Sequence, residues 1–246
     1  MTGRLPGRSG LTEALGDPRA EPDLEWVAAL TGATKIAVGR TLEELTARTE
    51  LIERIRTQHR EAGRDFYAQI PAPFDLYALT RLTGASELVE TGVSSGVSST
   101  FFLLGLERNG GGRLHSIDMP TRTGTSPVRL PPGKDTGWVV PSALNGRWDL
   151  QLGPSEALLP ELVHELRQVD LFLHDSLHTP DHLRFELATV RPRLRPGSLV
   201  LADNTNWTGR AFPEFARSLG GKVFARRNSQ LQGFRVPPAR AARRHG

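Results

Sequence analysis

The chain has 246 residues, no cysteine, 38% hydrophobic residues and a formal net charge of +4. That length can bury one full α/β core with an extension at one end, while the lack of cysteine excludes disulfides and thiolate metal sites, and no apolar run is long enough to span a membrane. A sequence pI near 10.1 suggests nucleic acid, but Arg235, Arg240, Arg243 and Arg244 supply +4 in a tail without acids, so the body is about neutral and a nucleic-acid partner is disfavoured.

The opening MTGRLPGRSG lacks the apolar core of a signal peptide, so a cytoplasmic protein is expected. Residues 1–22 and the basic tail 237–246 are expected to be disordered. From Asp23 a helical period begins with Leu24, Val27 and Leu30, and Leu42, Leu45, Leu51, Ile52 and Ile55 mark a second amphipathic segment. Residues 23–75 thus read as an N-terminal helical cap, which covers the substrate side, builds a homodimer interface or packs on the sheet. Pro71 and Pro73 end it, and Asp75 is placed to cap a helix from Leu76 to Thr83 that opens the main domain, 76–236.

Leu88 and Val89 end a short apolar run that reads as a buried strand. Gly92 and Gly96 let the backbone turn, and Val97 to Leu106 reads as a helix. A strand, glycine loop and helix in this order bring backbone N–H groups and a helix N-terminus to a ligand, and Glu90 at the strand end can accept from an ammonium or hydroxyl. The spacing is neither G-x-G-x-x-G nor G-K-[ST], which disfavours a nicotinamide enzyme and a phosphate loop. The acid-x-Gly-x-x-x-Gly pattern that remains resembles motif I of the class I S-adenosylmethionine-dependent methyltransferases. On this loop Glu90, Gly92, Ser94, Gly96 and Ser98 are the candidate cofactor contacts. A valine at Gly92 is expected to fill cofactor space and leave the fold largely intact.

Next comes RLHSIDMP, a strand ending in Asp118, whose two oxygens match the vicinal hydroxyls of a ribose; Met119 beside it is a further cofactor contact. Thr121 to Asn145 is long, rich in proline and without a period, as in a lid or substrate loop, and Trp138 in it either stacks on a ring or anchors the loop. A strand from Trp148 to Leu152 precedes a helix with Ser155 at its N-cap and apolar positions at Leu158, Leu159, Leu162 and Leu166. Val169 to Asp175 is a strand, Asp181 to about Val190 a helix, Pro196-Gly197 a turn, and Leu199 to Ala202 a strand ending in Asp203-Asn204. Asp175, Asp203 and Asn204 therefore reach the sheet edge where ligands bind, beside Glu90 and Asp118.

Glu90-Thr91-Gly92, Asp118, GPSE, FLHD and LADN follow the order of catechol O-methyltransferase and related metal-dependent O-methyltransferases, a resemblance that runs from about Leu88 to Asn204. The proline-containing insert and HDSLH look more like bacterial sugar and macrolide O-methyltransferases. The resemblance implies a Rossmann-like α/β fold with a mostly parallel seven-stranded sheet, S-adenosylmethionine as cofactor, and Ser155 and Glu156 at the adenine. It also implies magnesium on Asp175, Asp203 and Asn204, with Asp175 serving both cofactor and catalysis and His178 at the position of the family's lysine base. A small hydroxylated natural product is the expected acceptor. The alternatives are a protein that binds the cofactor without methyl transfer, and an RNA methyltransferase. His174, His178 and His182 also invite a transition metal, but alternation turns His174 away from Asp175 and Pro180 breaks the ladder, so oxygen ligands are preferred.

Overall fold

A computed structural model describes residues 21–64, 72–121 and 129–238. Residues 1–20 and 239–246, expected to be disordered, and residues 122–128 of the insert lie outside the described residues. The strands are β1 (Glu87–Thr91), β2 (Arg113–Asp118), β3 (Trp148–Leu152), β4 (Val169–His174), β5 (Leu194–Ala202), β6 (Phe224–Ala225) and β7 (Gln232–Arg235). They form one seven-stranded sheet in the order β3-β2-β1-β4-β5-β7-β6, with the first five parallel and β7 antiparallel to both β5 and β6. The order reverses between β1 and β4, which opens a crevice at their carboxyl ends.

Period-2 alternation sorts the strands' apolar side chains onto two faces. Leu88, Leu114, Leu171, Leu173, Leu199 and Leu201 belong to one buried cluster, and Val89, Ile117, Phe172, Val200 and Ala202 to the other. The first face is covered by α1 (Leu24–Thr31), α2 (Lys35–Glu43), α3 (Thr49–Glu61), α4 (Pro73–Thr83) and α5 (Val97–Asn109), and the second by α6 (Ser155–Glu165), α7 (Pro180–Val190) and α8 (Ala211–Ser218). Of the choices open to the N-terminal helices, packing on the sheet is realised: Trp26, Val27 and Leu30 share a core with Leu199 and Leu201, and Trp26 Nε1 donates to Phe224 O at 2.9 Å. No helix among the described residues is long and apolar enough to cross a membrane.

Four local expectations are corrected. Asp75 caps nothing, because Pro73, with φ already set for a helix, starts α4. Asp75 is instead fully buried within the first turn, accepting from Asp23 N at 3.0 Å and Arg226 Nε at 2.6 Å. Burial, opposed by Arg226, pushes its carboxyl up to about 6. Pro196-Gly197 lies inside β5, where a register shift against β4 absorbs the extra residues and Gly197 takes φ +100°. Ser155 is the first residue of α6, behind Pro154, and gives its hydroxyl to another helix. α7 starts at Pro180, capped by Thr179.

Candidate active site

The glycine loop is held in left-handed backbone at Gly92 (φ +87°), Ser94 (φ +48°) and Gly96 (φ +90°), and Gly96 caps α5 with no side-chain bond, so the amides of that first turn depend on other partners. Glu90 lies beneath the loop, fully buried. It accepts from Ser98 Oγ and Ser99 Oγ at 2.5 Å each and from Ser116 Oγ at 2.7 Å, and Ser116 Oγ accepts from Trp148 Nε1 at 2.8 Å. Burial raises its carboxyl to about 6 against these three bonds. Glu90 and Ser98 thus bind each other, tying loop and helix to β1 and β2, where the sequence suggests direct ligand contacts. Gly92 also departs from expectation: a Cβ there would stand 2.0 Å from Asp175 O, so a side chain strikes the neighbouring strand end and the fold is affected together with any ligand.

Asp118 accepts from Val93 N at 3.0 Å on Oδ1 and from Thr136 Oγ1 at 2.9 Å on Oδ2. Met119 beside it is 70% exposed. Leu152, Leu177 and Trp207 are also exposed, and all four stand at or just past the carboxyl ends of β2 to β5. Apolar side chains gathered in this way at one edge mark a ligand mouth more than a solvated rim.

Alternation continued one residue past β4 and β5 puts Asp175 and Asp203 on the same face as Glu90 and Asp118. The electrostatics agree: burial and then the charges of Asp203, Glu90 and Asp118 hold Asp175 well above the usual carboxylate range, and burial raises Asp203. Asp203 Oδ1 is buried with no hydrogen-bond partner. Asn204, in left-handed backbone at φ +50°, donates from Nδ2 to His178 Nε2 at 3.0 Å, which leaves its Oδ1 for another partner. His178 Nε2 also lies 3.8 Å from Asp175 Oδ1, and Trp207 packs edge-on against the ring at 5.7 Å. Burial, together with His174 and His182 and against Glu186, lowers His178 to about 4. The structure thus brings Glu90, Asp118, Asp175, His178, Asp203 and Asn204 to one edge.

Residues 89–205 match the family model described as a methyltransferase domain. Over these residues the chain is similar to methyltransferase domains. The O-methyltransferase TomG of Streptomyces achromogenes, involved in tomaymycin synthesis and solved with SAM, is 18% identical, covering 76% of this chain and 90% of that one at a TM-score of 0.55. An O-methyltransferase of Bacillus cereus in complex with SAH is 14% identical over 76% of this chain and 90% of that one, at 0.52. SAH-bound PaMTH1, a methyltransferase of Podospora anserina, is 15% identical over 96% of this chain and 99% of that one, also at 0.52. At such identities the likeness is one of fold. No curated protein matches the chain.

The other face of the sheet holds a polar hub that sequence reasoning misses. Glu186 of α7 is fully buried. It accepts from Thr91 Oγ1 and His174 Nδ1 at 2.7 Å on Oε2, and from Ser155 Oγ at 2.6 Å, Ser176 Oγ at 2.9 Å and His182 Nε2 at 2.9 Å on Oε1. Burial opposes its ionisation, but the bonds from His174, His182 and Ser155 prevail and hold the carboxyl well below its usual range. His182, bonded to Glu186 and 3.1 Å from Glu156 through Nδ1, has its pKa raised by Glu186 first, against burial. Ser155 and Glu156, expected at the adenine, are therefore engaged with His182 and Glu186. One signal was available in the sequence: Leu183, Glu186, Leu187 and Val190 share a helical face, so Glu186 occupies a core position.

Proposed function

We propose that this domain transfers the methyl group of S-adenosylmethionine to a hydroxyl of a small-molecule natural product, in the cytoplasm. The reading is carried by the acids gathered with the glycine loop at one edge of the sheet. Asp175, held up by burial and then by Asp203, Glu90 and Asp118, is relieved when a cation enters, and the cofactor brings both a sulfonium and an ammonium. Asp118 presents two oxygens to the ribose hydroxyls. The O-methyltransferases named above, one of them in a natural-product pathway, support the choice of a hydroxyl oxygen as acceptor.

The acceptor enters past Leu177 and Trp207, both more than half exposed on either side of His178. His178 is neutral at neutral pH and takes the acceptor's proton at Nε2 once the acceptor hydroxyl displaces Asn204 Nδ2 from that lone pair. Asp175, ionised once a cation is bound, then stabilises the imidazolium from 3.8 Å. Burial of the strand ends excludes water, and the loop holds the reacting groups in line.

Asp175, Asp203 and Asn204 offer hard oxygen donors that fit magnesium, and the partnerless, buried Asp203 Oδ1 supports that fit. Among the described residues no cluster of three His, Asp or Glu side chains is set to hold a metal, so Asn204 would be the third protein donor. Magnesium bound there would lower the pKa of the acceptor hydroxyl and orient it.

Calorimetric titration with S-adenosylmethionine, with magnesium and with chelator, tests cofactor and metal together. Binding is expected in both conditions, with turnover of phenol or sugar hydroxyls only when magnesium is present. Absence of cofactor binding overturns the whole reading, whereas full turnover in excess chelator removes magnesium and leaves His178 as an unaided base.

A further inference from the structure

Between β2 and β3 the sequence suggests a lid, yet the described part of this segment straps the glycine loop. Gly137 N donates to Ser94 O at 2.8 Å and Val139 N to Ser95 O at 3.1 Å. A Cβ on Gly96 would stand 2.8 Å from Gly137 Cα, and one on Gly137 would stand 2.1 Å from the Trp148 ring, so loop, strap and β3 meet with no room for a side chain. Trp148 is fixed in turn through Ser116 to Glu90. From this platform the buried Thr136 donates its hydroxyl to Asp118 Oδ2, while Oδ1 accepts from Val93 N at 3.0 Å and, at 3.5 Å, from Ser94 N.

We infer that Thr136 is a positioning residue of the cofactor site, fixing the plane of the Asp118 carboxylate for a vicinal diol. The inference rests on the reading of Asp118 as the ribose acceptor. A carboxylate turning about its last bond can satisfy fixed donors on both oxygens in one plane only; Oδ2 keeps a second lone pair, and on Oδ1 the long Ser94 contact is the one a ligand hydroxyl would displace. Two neighbouring hydroxyls require both oxygens at once, so a plane fixed in advance removes an ordering cost from binding. Without Thr136 only the loop amides of Val93 and Ser94 hold the carboxylate, both through Oδ1, and Oδ2 is left free to swing. Thr136 acts entirely through Asp118 and does not touch the ligand.

The test is calorimetric titration of the full chain, wild type, Thr136→Val and Thr136→Ser, with S-adenosylhomocysteine and with its 2′,3′-dideoxy analogue, each variant first checked by thermal melting. Thr136→Val should bind S-adenosylhomocysteine about 5–10-fold more weakly, the cost of ordering the carboxylate on binding. Thr136→Ser should stay within about twofold of wild type, having kept the hydroxyl. The dideoxy analogue, which has no diol for Asp118, should bind all three alike. If Thr136→Val is unfolded at the titration temperature, Thr136→Ala replaces it with the same expectation. Equal affinity of wild type and variant for S-adenosylhomocysteine overturns the inference. So does an equal loss for both ligands, which would mean that the strap shapes the loop as a whole. Absence of S-adenosylhomocysteine binding by the wild type overturns the cofactor reading and this inference with it.

Discussion

Substitution of Glu186 tests whether the hub on the second face holds the site in place. In Glu186→Gln one amide oxygen replaces two carboxylate oxygens that serve five donors. If the amide oxygen takes the place of Oε2, the fully buried Thr91 and His174 keep their acceptor while Ser155, Ser176 and His182 meet an N–H. The two hydroxyls can rotate to accept, but His182 Nε2 can do so only as neutral imidazole, so the raised pKa of His182 must fall. Exchanging charge-assisted bonds for neutral ones should cost about 2–3 kcal/mol. Glu186→Ala leaves His174 Nδ1 and Thr91 Oγ1 without an acceptor, at about 1–3 kcal/mol each, and adds a cavity, for a loss of about 4–6 kcal/mol. That is a large share of the ~5–15 kcal/mol that stabilises a typical domain. Urea denaturation at pH 7 measures both, and the histidine titration followed by NMR measures the second effect. A loss below about 1 kcal/mol for Glu186→Ala, with His182 titrating unchanged, would refute the reasoning.

Two further outcomes follow from the geometry. Gly92→Ala should destabilise the fold by more than about 2 kcal/mol, since the left-handed backbone and the approach of a Cβ to 2.0 Å from Asp175 O act together; an alanine variant as stable as wild type in urea would show that the strand ends can part without strain. Asp75, whose carboxyl rises from 3.8 to about 6, binds its proton more tightly folded than unfolded. Its contribution is therefore complete below about pH 4 and falls by up to about 3 kcal/mol as pH rises through 6, at 1.36 kcal/mol per unit. Comparing urea midpoints of wild type and Asp75→Asn from pH 4 to 7 checks this, and parallel curves would contradict it.

Much of the fold is legible in the sequence because β1, β4 and the end of β5 are short apolar runs buried on both faces, and the β1 and β4 ends announce themselves by a glycine loop and by FLHD. Asp118, Asp175, Asp203 and Asn204 are legible for the same reason, since strand ends in an open α/β sheet meet at one edge. What escapes is set by contacts distant in the chain. Whether Asp75 caps a helix or pairs with Arg226, 151 residues on, is decided by tertiary burial and not by the local Pro-x-Asp pattern. Glu90 has the right place for a ligand contact, but three hydroxyls from α5 and β2 reach it first. Thr136 lies in a segment with no period, so nothing local marks it as the partner of Asp118.

The two faces of the sheet explain why a repulsive group of acids can persist at the edge. Alternation gives each central strand end a member on either side: Glu90 and Thr91 in β1, His174 and Asp175 at the end of β4. Thr91 and His174 turn to Glu186, whose buried, fully bonded carboxylate clamps both strand ends from the second face. Glu90 and Asp175 turn to the first face, where Asp175 is raised by its neighbours and gains nothing from their company. Without the clamp, the strand ends could separate and the acids move into water. With it, their repulsion stays in the folded state, so on the proposed function the binding of a cation would recover energy that the fold has held in place.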